Sequence, residues 1–135
     1  MEQTLAIVKP DGVKRGLIGD ILKRYENKGL RLKATKLITA DEKLLQEHYK
    51  EHIGKPYFEP LIKYMSSGPV FAMVLEGDNA IKIVRILNGA TRIEDALPGT
   101  IRGDFASDTT YNIIHGSDSI ESAKREILLW FPELK

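Results

Sequence analysis

The segment Asn112-Ile113-Ile114-His115-Gly116-Ser117-Asp118 places one histidine between an apolar run and the start of a helix. The two isoleucines predict the end of a buried strand, and Asp118 precedes Glu121 with capping-box spacing for a helix over residues 119–130. A helix N-terminus presents unpaired N–H groups that suit phosphate oxygens. Because imidazole titrates near neutrality and its free base has a lone pair, His115 is a candidate nucleophile toward phosphorus. A histidine that only packs at a strand end is the alternative.

Several cationic residues could bind phosphate oxygens near this histidine. Lys9 directly follows the apolar run at 5–8 and precedes Pro10-Asp11-Gly12, a strong turn signal, so its ammonium could reach a polyphosphate. Further candidates for a cationic clamp around a transferring phosphoryl group are Arg85 on a predicted helix and Thr91 and Arg102 in a long loop. Taken singly, each of these side chains is more typical of a solvated surface.

The known phosphate-binding motifs are missing, since the chain contains neither GxxxxGK[ST] nor GxGxxG after a strand. A different motif, H-x-x-E-H, is matched by residues 48–52 and is known from zinc hydrolases. A catalytic zinc needs a third protein ligand, and the spacing selects none for His48 and His52. Residues 48–52 are therefore interpreted first as part of an ordinary amphipathic helix, and a zinc hydrolase is the less favoured alternative.

Length and composition predict one domain over residues 1–135. The chain has 42% hydrophobic residues and a formal net charge of +1, which argues against a nucleic-acid backbone as an obligatory partner. It has no cysteine, so disulfides and thiolate metal sites are excluded. Because neither a leader-like start nor an apolar stretch of membrane-spanning length is present, we expect a cytoplasmic protein with no membrane partner.

The strand patterns predict a small, mostly antiparallel sheet. The apolar runs at 5–8 and 70–75 are typical of central strands covered on both faces. Residues 31–38 alternate and carry lysines, as expected near a sheet edge, and the short strand ending at His115 is a candidate for the opposite edge.

Helical patterns separate these strands. Helices are predicted around residues 18–28, 41–52, 57–65 and 79–87. Residues 88–111 are rich in Gly, Thr, Asp and Pro and predict a long irregular loop with a functional role. This order of elements indicates an α+β domain.

The assembled motifs resemble one family, the nucleoside diphosphate kinases. The matching segments run in family order over essentially the whole chain: VKPDG at 8–12, HY at 48–49, KPYF at 55–58, KYM at 63–65, SGPV at 67–70, PGTIRGDF at 98–105, NIIHGSDS at 112–119 and ESA at 121–123. The resemblance implies a ferredoxin-like βαββαβ core with a four-stranded antiparallel sheet, flanking helices and the loop at 88–111. It also implies transfer of the terminal phosphate of a nucleoside triphosphate to a nucleoside diphosphate through a phosphohistidine.

By match of position, the resemblance gives His115 the role of the phosphorylated nucleophile and Glu126 that of orienting its imidazole. Ser119, Ser122 and Glu126 share one helical stripe, which permits this contact. The remaining implied roles are phosphate ligands at Lys9, Arg85, Thr91 and Arg102, a tyrosine near the histidine at Tyr49, a ribose contact at Asn112, base stacking at Tyr57 and a neighbouring apolar contact at Leu61.

The family resemblance also implies Mg²⁺, bound mainly through nucleotide phosphates and without a dedicated protein metal site. Stacking on an aromatic ring is insensitive to base identity, so broad base specificity is expected. Tyr57 stands where phenylalanine is more usual in the family, and the residues at 92–97 of the loop are uncommon there. Family enzymes are tetramers or hexamers, and both assemblies stay open for this homo-oligomer. The alternative from another class is a non-catalytic nucleotide or nucleic-acid binding module on the same fold.

Overall fold

The computed structural model describes residues 1–134. Its strands are β1 (Glu2–Val8), β2 (Arg31–Ile38), β3 (Val70–Gly77) and β4 (Ile114–Gly116). Its helices are α1 (Pro10–Lys14), α2 (Ile18–Asn27), α3 (Glu42–His48), α4 (Phe58–Met65), α5 (Ala80–Asn88), α6 (Ile101–Phe105) and α7 (Ile120–Trp130). Short 3-10 turns cover Lys50–His52, Ile93–Asp95 and Pro132–Leu134. The helices within residues 1–134 are all too short or too polar to cross a bilayer.

Within these residues, the strands form one antiparallel sheet in the order β2-β3-β1-β4. The two apolar strands lie in the middle, and the lysine-bearing strand and the short histidine strand form the edges, as predicted. β2 contains an irregularity between Leu32 and Ala34, a feature that interrupts an exposed edge. The fold is α+β with the ferredoxin-like βαββαβ order, in which α2 and α5 are the two core helices and α1, α3, α4, α6 and α7 are additional.

Both faces of the sheet are covered, which explains why residues 5–8 of β1 are continuously apolar. Leu5 and Ile7 belong to a core shared with α3, α4 and α7, whereas Ala6 and Val8 belong to a core shared with α2 and α5. All four side chains are fully buried. His115 lies opposite Ile7 in the sheet, so its side chain is on the face that α7 covers.

The segment around His115 differs in two ways from its prediction. Ile113 is not in a strand: its φ is 76°, and its carbonyl accepts a hydrogen bond of 2.7 Å from the Lys9 backbone N–H. The chain turns there, and β4 begins at Ile114, which puts His115 in the middle of the strand rather than at its end. The predicted Asp118 cap is also wrong, because Ser119 Oγ accepts the capping hydrogen bond from the Ser122 N–H at 3.1 Å.

Three further elements differ from the predicted boundaries. The helix predicted over 41–52 ends at His48, after which a 3-10 turn reverses the chain. The predicted turn at 10–12 is the short helix α1, which has proline at its first position. The loop at 88–111 contains α6, where Thr100 Oγ1 accepts a hydrogen bond from the Gly103 N–H at 3.0 Å. A side chain at Gly103 would collide with a backbone carbonyl, which explains glycine inside a helix.

Candidate active site

His115 and Glu126 come together because α7 packs across the face of the sheet on which β4 presents its histidine. His115 Nε2 lies 2.9 Å from Glu126 Oε1. A carboxylate only accepts hydrogen bonds, so Nε2 carries a proton, and in the neutral imidazole Nδ1 then keeps its lone pair. The predicted contact between the two residues is therefore present, and it leaves Nδ1 as the nitrogen with a lone pair for a reaction.

Glu126 is buried and ionised. Burial alone would raise the pKa of its carboxyl, but the hydrogen bond from His115 opposes this and holds the pKa below its usual value. Ser117 Oγ donates a second hydrogen bond of 2.8 Å to the same carboxylate oxygen. Ser117 was not predicted from the sequence to have a role. Its position two residues after His115, on the same strand face, was the available signal.

Lys9 is held at the end of β1 by a polar partner. Its Nζ donates a hydrogen bond of 2.7 Å to Asn112 Oδ1, and both side chains are buried. Burial and the nearby charge of Arg102 lower the pKa of Lys9 to about 8. A buried ammonium whose pKa is lowered in this way is stabilised when a negatively charged phosphate binds beside it.

Two arginines contact the backbone on either side of His115. Arg102 Nη2 donates to the Ile114 carbonyl at 2.6 Å, and Arg85 Nη1 donates to the Gly116 carbonyl at 3.3 Å. The buried Nε of Arg102 has no hydrogen-bond partner within the described residues. Burial lowers the pKa of Arg102 to about 10, so its guanidinium stays charged at neutral pH. This arrangement puts two guanidinium groups beside β4, which suits an anion at its surface.

The other predicted residues lie at different depths. Tyr49 follows α3 and is buried, with burial raising its pKa and its hydroxyl unpaired within residues 1–134. Tyr57 is half-exposed at the start of α4, and its hydroxyl lies 2.5 Å from His52 Nδ1. Leu61 packs against the core beside it. Thr91 is exposed in the segment after α5.

The geometry excludes the alternative of a zinc site formed by His48 and His52. His48 is buried with Nδ1 accepting a hydrogen bond of 3.0 Å from Trp130 Nε1, whereas His52 is half-buried and its Nδ1 pairs with the Tyr57 hydroxyl. Among residues 1–134, the cluster with metal-ligand spacing consists of His48, His115 and Glu126 instead. The proposed pair of His48 and His52 therefore does not form a zinc site. The packing of His48 against His115 was not anticipated from the sequence.

Comparisons with known proteins agree with this geometry. The family model of nucleoside diphosphate kinase matches residues 2–135. The nucleoside diphosphate kinase of Caldanaerobacter subterraneus is 79% identical over 99% of this chain and 96% of its own length. That of Listeria welshimeri is 61% identical over 97% of this chain and 89% of its own length.

Solved structures give the same result. The halophilic nucleoside diphosphate kinase from Halobacterium salinarum, in complex with CDP, has a TM-score of 0.94 at 54% identity and covers 96% of this chain and 87% of its own. The apo enzyme from Encephalitozoon cuniculi has a TM-score of 0.95 at 45% identity and covers 97% of this chain and 89% of its own. The chain belongs to the nucleoside diphosphate kinase family.

Proposed function

We propose that this chain is a nucleoside-diphosphate kinase that transfers the terminal phosphate of a nucleoside triphosphate to a nucleoside diphosphate through a phosphohistidine at His115. The observation that carries the proposal is the imidazole itself. Its Nε2 is engaged by Glu126, its Nδ1 has a free lone pair, and cationic side chains contact the backbone on both sides of it. This arrangement combines an oriented nucleophile with stabilisation for phosphoryl oxygens.

The reaction proceeds in two balanced halves. His115 Nδ1 attacks the γ-phosphorus, a nitrogen–phosphorus bond forms, and the bond to the bridging oxygen breaks so that the diphosphate leaves with that oxygen. A second diphosphate then attacks the phosphohistidine with its terminal oxygen and restores the imidazole. During the first half, positive charge develops on the ring, and the ionised Glu126 stabilises it through the Nε2 proton. Lys9, Arg85 and Arg102 bind the transferring oxygens.

The site fits a metal ion that arrives with the nucleotide. Around His115 the side chains are mainly cationic, and the buried carboxylate of Glu126 is already engaged by Ser117 and His115. Mg²⁺ prefers oxygen ligands and octahedral geometry, which the phosphates and water can supply. When bound with the nucleotide, Mg²⁺ neutralises phosphate charge and fixes phosphate geometry.

The nucleoside is assigned to the side of the site formed by α4. Tyr57 exposes its ring for base stacking, with Leu61 as an apolar neighbour, and Asn112 is assigned to the ribose. Thr91 is assigned to the phosphates. Stacking does not distinguish bases, so the enzyme is expected to accept purine and pyrimidine nucleotides alike.

Labelling with γ-labelled ATP and Mg²⁺ tests the function. Wild type is expected to form an acid-labile, alkali-stable protein label that chases onto added GDP or CDP. His115→Ala is expected to form none, whereas His52→Ala, which removes another histidine, stays labelled at saturating nucleotide. Label that survives His115→Ala would contradict the assignment. Nucleotide binding by wild type without any label would identify the non-catalytic binding module instead.

The proposal extends to the setting of the enzyme. Residues 1–135 act as one domain, the partners are nucleoside di- and triphosphates, and the assembly is a homotetramer or homohexamer in the cytoplasm. Support for the assembly and the compartment comes from the family resemblance alone.

A further inference from the structure

A buried pair of rings lies behind the reactive histidine, and the reaction above does not use it. The His48 ring packs edge-on against the His115 ring, with 4.7 Å between the ring centroids and 73° between the planes. On its other side, His48 Nδ1 accepts the hydrogen bond of 3.0 Å from Trp130 Nε1. His48 and Trp130 are both almost completely buried. The three rings thus form one chain of contacts from α7 through α3 to β4.

The hydrogen bond from Trp130 fixes the tautomer of His48. An indole nitrogen only donates, so His48 Nδ1 must be unprotonated. Burial, and after it the charge of His115, lowers the pKa of His48 to about 3, which keeps the ring neutral in the usual pH range. A neutral imidazole has one N–H, and here it must lie on Nε2.

Charged groups face His48 from several elements. Lys9 at the end of β1 and Arg125 on α7 oppose a positive charge on the ring, and Glu126 on α7 favours it. His115 on β4 and Tyr49 after α3 complete the surroundings. A ring nitrogen of His48 lies within 4.8 Å of both the Glu126 carboxylate and a ring nitrogen of His115. A reoriented or protonated His48 could therefore compete with His115 for Glu126.

We propose that Trp130 and His48 are positioning residues for His115. The indole N–H holds the His48 ring in one orientation and one tautomer, and the edge of that ring confines the His115 ring to the orientation in which Glu126 binds Nε2 and Nδ1 faces the phosphate. This inference rests on the proposed function. It predicts that loss of the indole N–H slows phosphorylation without weakening nucleotide binding, because neither ring is assigned to the nucleotide.

Kinetics of four variants test the pair. Trp130→Phe removes the N–H and keeps an aromatic ring, and His48→Phe removes the acceptor and keeps a ring. Each is expected to lower kcat about tenfold with KM unchanged, since a small misorientation of a reacting group is costly. The double variant is expected to be no slower than the worse single variant, because the hydrogen bond is lost only once. Leu128→Ala, on the exposed side of α7, is the control for general destabilisation of the helix.

Nitrogen NMR of labelled histidine gives a readout that does not depend on turnover. In wild type, His48 Nδ1 should have the shift of an unprotonated nitrogen from about pH 6 to about pH 8, and in Trp130→Phe this signature should change. A protonated Nδ1 in wild type would overturn the proposal. So would variants that lose thermal stability as Leu128→Ala does while kcat stays unchanged. Absence of phosphate exchange in wild type would instead overturn the proposed function, and the NMR result would still decide the tautomer.

Discussion

At the scale of single residues, the buried ammonium of Lys9 makes the kcat/KM of the enzyme sensitive to alkaline pH. Its pKa is about 8 in the free protein, and only the charged form binds phosphate oxygens. As pH rises through this value, the free enzyme loses the charge, so kcat/KM should fall about tenfold per pH unit above it. The measurement is a profile of kcat/KM against pH at constant ionic strength and excess Mg²⁺.

Lys9→Gln supplies the comparison for this profile. It should have a lower kcat/KM at neutral pH and no decline near pH 8 from this group. An alkaline decline that persists in Lys9→Gln would assign the titration to another residue.

Tyr57 differs from the more usual phenylalanine by a hydroxyl that has found a partner in His52. Removing this bond in Tyr57→Phe keeps the stacking face but frees the ring, and a hydrogen bond of ordinary net strength predicts a KM about twofold to tenfold higher. kcat should be nearly unchanged, and ADP, GDP and CDP should be affected alike. Tyr57→Ala, which also loses stacking, should raise KM further. A KM for Tyr57→Phe equal to that of wild type would mean that the hydroxyl does not hold the ring.

At the scale of elements, the start of α7 depends on one serine. Ser119 Oγ accepts from the Ser122 N–H, so Ser119→Ala should lower the free energy of unfolding by about 1 kcal/mol. Asp118→Ala, one residue earlier, removes the side chain that the sequence favoured as the cap and should cost less than about 0.5 kcal/mol. Urea unfolding at fixed protein concentration measures both. A larger loss of unfolding free energy for Asp118→Ala than for Ser119→Ala would identify Asp118 as the cap.

The elements show what the sequence could and could not predict. The central strands and the lysine-bearing edge were predicted, because burial on two faces and alternation leave direct traces in residue order. The turn at Ile113 was not predicted, since a positive φ is unfavourable for isoleucine and the turn is held by a hydrogen bond from the Lys9 N–H. Likewise, α6 lies in a segment with little apolar periodicity.

The site likewise contains features that the sequence could predict and features that it could not. Types and spacing selected His115, Lys9 and Arg102, because phosphate chemistry needs a nucleophile and cations. The tautomer of His115 and the hydrogen bond from Trp130 to His48 join residues far apart in the chain, so no local pattern could show them. The family resemblance supplied Glu126, and the structure brings it to the predicted ring.

At the scale of the whole molecule, the buried His48 makes folding sensitive to acid. Its pKa is about 3 when folded and about 6.5 in an unfolded chain, so between these values the unfolded state binds more protons. Stability is therefore fully present above about pH 6.5 and falls as pH decreases below it, by about 1.4 kcal/mol per pH unit from this group. Glu126, whose pKa is also depressed by folding, adds loss in the same direction at lower pH.

His48→Phe isolates this contribution because every other titrating group stays in place. The variant should be less stable than wild type at neutral pH, where the indole N–H of Trp130 has lost its acceptor. As pH decreases from about 6.5 to about 4.5, its free energy of unfolding should decline less steeply than that of wild type, so the two curves converge. Denaturant unfolding across this range, at one protein concentration, measures the difference. Parallel curves would mean that His48 is protonated in the folded protein. A neutral His48 ring could then not explain how His115 is oriented.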